Sequence, residues 1–321
     1  MSEVHTVFGA GQIGTLLATQ LAQAGHRVRL VRRGPARAAI PGVTWMQGDA
    51  TDAAFAAEAC RGATTVYNCT NPPDYARWDG LLQPLFRSIW KAAADAEARL
   101  VQLDNLYMLG RPPSAPFDES TPMNPCSHKG ALRKAMAEEL MEMHAQGRLE
   151  ACVGRASDFF GPDTPNTAVM RPDVLKRLHQ GGSVYLFGNP DMPHSYSYAP
   201  DVARGLATLG THPDAPGRTW HLPVSAQRTT RELLEAFAAH SGVKIKVRRV
   251  PQWLMRTIGV FVPLFAAVAE MAYQWDVPYL VDDRAFRTTF GIEPTPLPQA
   301  IETTLASTRP EAAPATARTV S

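Results

Sequence analysis

The run Val4-His5-Thr6-Val7-Phe8 leads without interruption into Gly9-Ala10-Gly11-Gln12-Ile13-Gly14, and this junction constrains the fold more than any other stretch of the chain. The first five residues have β character, whereas Leu16, Leu17 and Leu21 continue Ile13 at helical spacing until Gly25 stops the helix. Between a strand and a helix, a G-x-G-x-x-G pattern has a physical purpose. Gly9 permits the tight turn, Gly11 lets the backbone approach a pyrophosphate, and Gly14 lets helix and strand pack closely with the helix N-terminus aimed at the anion. The junction therefore predicts a βαβ unit that binds a dinucleotide through Gly9, Gly11, Gln12, Ile13 and Gly14. The alternative is a tight turn without a ligand.

Short β runs then alternate with helical patterns: Val28–Val31, Thr64–Cys69, a helix through Leu81–Ala94, Leu100–Leu103, a helix from Ser127, and Cys152–Arg155. Such alternation predicts an α/β fold, a Rossmann doubly wound parallel sheet with helices on both faces. Past residue 160 the simple alternation ends, and Pro and Gly concentrate between Gly161 and Pro200. The expected organisation is a dinucleotide-binding domain over 1–160, to which the chain returns around 194–224. A smaller C-terminal α/β substrate domain would be built from 161–193 and 225–306. The stretch 307–321, rich in Ala, Thr, Pro and Arg, has no apolar period and is expected to be disordered.

The second strand ends in Arg32 and Arg33, where an acid would accept hydrogen bonds from a ribose hydroxyl. Guanidinium forks suit a 2′-phosphate instead, so the pair favours NADP(H) over NAD(H); the alternative is that both arginines only solvate a loop. Asp49 and Ala50 follow the third strand, and Thr70 and Asn71 follow the fourth. Loops there touch the adenine and the middle of the cofactor.

Other classes of function find little support. With 321 residues, 45% hydrophobic and 19% charged, the composition is that of a globular protein, and a net charge of +2 with scattered Lys and Arg offers no footprint for nucleic acid. Cys60, Cys69, Cys126 and Cys152 form no CxxC pair, and no signal-peptide pattern precedes the first strand, which predicts reduced thiols and a cytoplasmic protein. The apolar stretch Thr257 to Ala272 is short for a membrane span and Pro263 interrupts it, so a buried or substrate-covering helix pair is expected. The nine histidines make no HxxxH or HxH pattern, so no metal site is expected.

Taken together, these stretches resemble the short-chain dehydrogenase/reductase superfamily, in its extended branch of epimerase/dehydratase-like proteins, nearly to Leu305. Arg155-Ala156-Ser157-Asp158-Phe159-Phe160-Gly161-Pro162 is similar to the R-x-x-N-x-Y-G-P of that branch, and Gly188 to Ala203 is similar to its G-x-x-x-x-x-R-D-F-x-x-V-x-D-V. Asp282-Asp283, Phe290 to Pro294 and Ala300 to Leu305 match its closing segment. The resemblance implies an enzyme that works with a nicotinamide dinucleotide, and association as a homodimer.

The departures bear on mechanism. In the resembled branch P-x-S-x-Y-G-x-x-K supplies a tyrosine acid/base and a lysine that lowers its pKa. Here the frame is Pro125-Cys126-Ser127-His128-Lys129-Gly130-Ala131-Leu132-Arg133, with Lys129 for the tyrosine and Arg133 for the lysine. Phe8 stands in place of a further glycine. Helical spacing puts Lys129 and Arg133 on the apolar stripe of Leu132, Met136, Leu140 and Met143, which is unfavourable unless something anionic meets them. A bound cofactor or an acidic substrate would serve. Otherwise both side chains snorkel, or pair with a structural acid such as Asp104.

Two acid/base assignments follow. Tyr107, beyond the fifth strand, supplies the missing phenol with Lys129 or Arg133 beside it, or Lys129 itself transfers the proton; Asn105 or Asp104 would orient the substrate oxygen. Lys129 would also touch the cofactor. His194, Tyr196 and Ser157 are the candidate substrate contacts, although core packing serves Tyr196 and Tyr198 equally well. In nucleotide-sugar enzymes of the resembled branch an arginine for the diphosphate takes the place of His194. Trp253, Phe261, Phe265, Tyr273, Trp275 and Tyr279 would form an apolar lid or part of the core.

Three readings result: an NADP(H)-dependent oxidoreductase for the carbonyl or alcohol of a small, rather apolar molecule; an epimerase, dehydratase or isomerase without net cofactor turnover; and a non-catalytic NADP-sensing protein.

Overall fold

The computed structural model describes residues 3–72, 74–164, 169–251, 257, 260 and 262–308. Trp253, Phe261 and the tail from 309 onward lie outside them.

Seven parallel strands form the main sheet: β1 (Val4–Phe8), β2 (Arg27–Arg32), β3 (Val43–Gln47), β4 (Thr65–Asn68), β5 (Arg99–Asp104), β6 (Ala151–Arg155) and β10 (Thr219–His221), in the order β10-β6-β5-β4-β1-β2-β3. The chain leaves β1 in one direction through β2 and β3, then crosses back to lay β4 on the other side of β1. At such a reversal the loops diverge and leave a crevice beyond the carboxyl ends of the strands. Every residue of β4 and of β6 is buried, as expected of strands covered on both faces.

The helical apolar stripes find those faces. Ile13, Leu17 and Leu21 of α1 (Gln12–Gln23) pack with Val202, Leu206 and Leu209 of α6 (Ala199–Thr211) on one side. On the other side Ala56 and Ala59 of α2 (Ala53–Cys60), Phe86, Ile89 and Trp90 of α3 (Leu82–Asp95), and Met136 and Leu140 of α4 (His128–Ala145) share a core. Asp52 caps α2 by accepting from the Ala54 and Phe55 N–H groups, and Ser127 caps α4 by accepting from Gly130. By contrast α1 begins at Gly11 with no side-chain cap, so its first N–H groups remain available to an anion.

A smaller region has its own core of Phe160, Leu175, Tyr196, Leu233, Phe237 and Ile301. It holds a three-stranded sheet, β11 (Ala226–Thr229), β9 (Pro193–Tyr198) and β7 (Asp158–Phe160), and a parallel pair, β8 (Gly182–Phe187) with β12 (Ile245–Val250). Around them lie α5 (Pro172–Gln180), α7 (Thr230–His240) and α10 (Leu297–Ser307), the last ordered through Ser307, where a disordered tail was expected to begin. Between β12 and α9 (Arg284–Phe290), α8 (Pro263–Met271) and a 3-10 turn, Ala272–Trp275, lie over the crevice. Among the described residues no helix is long and apolar enough to cross a membrane.

Candidate active site

Two cavities meet above the reversal point. The first, about 560 Å³, is lined by the turn Phe8 to Gly11, by Val31, Arg32 and Arg33 after β2, by Gly48 to Thr51 after β3, and by Cys69 to Asn71 after β4. Its shape follows from the glycines. A Cβ on Gly14 would lie 1.9 Å from the Gly9 carbonyl oxygen, and one on Gly9 would lie 2.7 Å from that of Cys69, so neither position admits a side chain. A Cβ on Gly11 would meet nothing within 4 Å, which leaves its backbone open to a ligand. Asp49 is held by its own loop, its carboxylate accepting from the Thr51 N–H at 2.9 Å and hydroxyl at 2.8 Å. Arg32 keeps one guanidinium nitrogen, Nη1, buried without a hydrogen-bond partner among the described residues. Phe8, in place of the further glycine, is fully buried and forms part of the wall.

Ile13 and Gln12 are not part of that wall. Ile13 packs into the core, and the Gln12 amide donates to the Pro162 carbonyl at 2.5 Å. Their side chains are thus turned away from it, and the contact expected of them with the cofactor falls to the backbone N–H groups at the start of α1.

The second cavity, about 260 Å³, shares Cys69, Thr70 and Asn71 with the first and continues under α8. Tyr75, Trp78, Asp104, Asn105, Tyr107, Arg133, Ser157, Asp158, His194, Trp275 and Tyr279 are among its lining residues. The Tyr107 and Tyr75 hydroxyls are 3.0 Å apart, and Asn105 fixes the Tyr107 turn by accepting from its backbone N–H at 3.0 Å. Burial pushes the Tyr107 phenol well above its ordinary range, Tyr75 and Asp158 push the same way, and Arg133 opposes them. Burial likewise raises Tyr75 to about 12. At neutral pH both phenols therefore carry their protons at rest.

Lys129 and Arg133 are indeed buried on the core side of α4, but the protein supplies their anions itself. The Lys129 ammonium pairs with Glu270 of α8 at 2.6 Å, and its backbone N–H donates to the same carboxylate at 3.0 Å. Lys129 lines neither cavity. The acid/base and cofactor roles expected of it gain no support from this geometry, in which it fastens the covering helix to α4. Arg133 donates to Asp104 at 3.0 Å and to Asn71, and its guanidinium lies 4.7 Å from the Trp78 ring centre and 5.2 Å from that of Phe86. Burial raises the Asp104 carboxyl, while Arg133 and Arg155 lower it. A buried pair of this kind repays its desolvation only with close partners, and here the Arg133 Nε, also buried, has no hydrogen-bond partner among the described residues.

His194 stacks on Trp275 and Tyr279, with ring centres 5.0 Å and 5.6 Å away, and its Nε2 lies 2.7 Å from the Asp158 carboxylate. The Ser157 hydroxyl is 3.0 Å from that of Ser197. Tyr196 belongs to the core, its hydroxyl 2.5 Å from that of Thr230, and it does not line the cavity, which corrects its assignment as a substrate contact. Sequence reasoning missed Tyr75, Trp78, Asp158 and Glu270. Two signals were present: an aromatic pair in the loop after β4, and a lone acid within the apolar run of α8.

The model of the NAD dependent epimerase/dehydratase family matches residues 6–222. The chain belongs to this family. No curated protein matches it in sequence. Among solved structures it is similar to a dTDP-glucose 4,6-dehydratase from Streptomyces venezuelae with NAD bound (TM-score 0.76, 18% identity, 95% of this chain and 96% of that one). It is similar too to the Bordetella bronchiseptica enzyme WbmH in complex with NAD+ (0.73, 18%, 96% and 98%). A third is a UDP-N-acetylglucosamine 4-epimerase from Methanobrevibacter ruminantium (0.77, 15%, 96% and 98%). The protein is accordingly an enzyme of the extended short-chain dehydrogenase type, with a site for a nicotinamide dinucleotide.

Proposed function

We propose that the enzyme uses its dinucleotide, the 2′-phosphorylated form in preference, to take a hydride from the carbinol carbon of a small, uncharged, largely apolar substrate and to return it, in the epimerase or dehydratase manner of its family. The observation that carries this reading is the meeting of the two cavities at Cys69, Thr70 and Asn71. A glycine turn with Arg32 and Arg33 lies on one side, and an aromatic chamber with the Tyr107 phenol lies on the other.

The chamber is poorly suited to a nucleotide diphosphate. Asp104 and Asp158 line it, and its cation, Arg133, is already committed to Asp104 and Asn71. A further cavity of about 280 Å³, with Leu186, Phe187, Leu264, Phe265 and Arg171 in its lining, shares Val169, Val268 and Trp275 with the chamber; Arg171 is paired with Asp173 at 2.8 Å, and the apolar walls offer room for an apolar substituent. Bound in the first cavity, the cofactor would supply the hydride acceptor. The chain's own contribution is to exclude water under α8 and to move the proton: Tyr107 as phenolate takes the substrate hydroxyl proton when the hydride leaves, and as phenol gives it back when the hydride returns. A phenol kept protonated by burial also suits net reduction of a carbonyl, and this favours oxidoreduction as a second reading.

The test has two parts. NADPH fluorescence on titration should show tighter binding than NADH, and apolar ketones and secondary alcohols should be turned over while dTDP- and UDP-sugars are not. Retention of deuterium placed on the carbinol carbon, with wash-in from D2O confined to the carbon beside it and no NADPH consumption, identifies the epimerase or dehydratase course, and consumption of NADPH identifies the second reading. Turnover of a nucleotide sugar would overturn the apolar assignment, and absence of dinucleotide binding would overturn the whole reading.

A further inference from the structure

At the end of the sheet opposite the glycine turn, three side chains with metal-binding atoms converge. Glu3 and His5 are two residues apart at the start of β1, so they share one face of the strand. His26 follows the Gly25 turn just before β2. The parallel register that pairs Val4 with Arg27, and the 3.1 Å hydrogen bond from the Arg27 N–H to the Glu3 carbonyl, set the first residues of the two strands side by side. As a result Glu3 Oε2 lies 3.4 Å from His5 Nε2 and 3.7 Å from His26 Nδ1, and the three donor atoms lie within 4.8 Å of one another.

The His5 ring is fully buried, yet its Nε2 has no hydrogen-bond partner among the described residues. Its other nitrogen, Nδ1, is 3.1 Å from the buried Tyr67 hydroxyl. Leaving a buried nitrogen unpartnered is costly. Two of the three donor separations are close to an edge of a coordination tetrahedron, and the third is no more than 4.8 Å. A zinc ion about 2.0–2.1 Å from nitrogen and oxygen ligands in tetrahedral geometry sets those ligands about 3.4 Å apart. The two Glu3 separations are within a few tenths of an ångström of that edge.

We propose that Glu3, His5 and His26 form a site for a divalent transition-metal ion of the zinc type, with water completing the tetrahedron. Two imidazoles and a carboxylate suit zinc better than magnesium or calcium, which favour oxygen ligands throughout. Tyr67 plays the outer-shell part, fixing the His5 ring through its second nitrogen. Glu3 is half exposed and His26 a quarter exposed, so the ion has a path from solvent. Along β1, His5 is roughly 13 Å from the glycine turn, at about 3.3 Å per residue. The ion would therefore be structural, tying the beginnings of two strands together, and its presence is independent of the proposed reaction. Spacing along the sequence missed this site because its ligands come from two segments.

The experiment is a cobalt(II) titration of the metal-free, untagged full chain, with zinc(II) as competitor. One equivalent of cobalt should bind with the visible bands of a four-coordinate ion, and zinc should displace it. Zinc at about a hundredfold excess over its Kd should raise Tm by about 5 °C. His26→Gln and Glu3→Gln should each weaken cobalt binding at least 100-fold, while Cys126→Ser, which removes the exposed thiol, leaves it unchanged. Absence of saturable binding would overturn the proposal. So would binding that survives both Glu3→Gln and His26→Gln, or binding that vanishes in Cys126→Ser.

Discussion

In the nucleotide cavity the decisive contacts belong to the backbone, whereas in the adjoining chamber they belong to side chains drawn from distant segments. The Gly9 turn, the uncapped start of α1 and the loops after β2 and β3 would form the first cavity in much the same shape whatever the neighbouring side chains. The second depends on Tyr107, Tyr75, Asp104, Arg133, Asp158 and His194, each held by a specific partner. A backbone site survives sequence divergence with its function intact. A side-chain site depends instead on which partners the fold brings together, as Lys129 and Arg133 show in their ion pairs with Glu270 and Asp104.

Removing the guanidinium tests that contrast most severely. Arg133→Met should leave Asp104 buried without its cation and lower stability by about 3–5 kcal/mol, measured by urea unfolding. Adding Asp104→Asn should recover most of that loss, because the buried charge goes with it. Tyr107→Phe should reduce turnover of an apolar carbonyl about 100-fold or more while NADPH affinity stays unchanged. Equal losses in both would mean that the two cavities are not separable.

The double change Arg32→Ala with Arg33→Ala should weaken NADPH about 10- to 100-fold and NADH hardly at all, read by fluorescence titration. Equal weakening of both cofactors would show that the arginines do not read the 2′-phosphate. A pH effect follows from His221, whose buried imidazole is held down to about 4 by burial first and by Arg155 second. The unfolded chain takes up that proton near 6.5, so stability should fall as pH drops from about 6.5 to 4 and level off below. The slope from this one group is on the order of 1 kcal/mol per pH unit, and His221→Gln should remove it.

Much of the nucleotide half was legible in advance. Val4–Phe8 and Gln12–Gln23 form the strand and helix that the glycine spacing demands, and Arg32, Arg33, Asp49, Ala50, Thr70 and Asn71 all line one cavity. These are local consequences: a period of two, a period near 3.6, and glycines where no Cβ fits. The apolar stripe of α4 was equally visible, so the burial of Lys129 and Arg133 was readable too.

Of their partners, Asp104 was named as a structural acid for the pair and does hold Arg133, but Glu270, 141 residues from Lys129, was not; nothing in local spacing pairs those two. The same holds for Tyr75 with Tyr107, for Asp158 with His194, and for Glu3 and His5 with His26. By itself the sequence determined where strands, helices and the anion-receiving turn form, because those depend on neighbours a few residues away. Only the tertiary structure decided which charges neutralise one another and which phenol faces the chamber. Burial makes an unpartnered charge costly, and the partner that relieves the cost is set by how the sheet and helices pack.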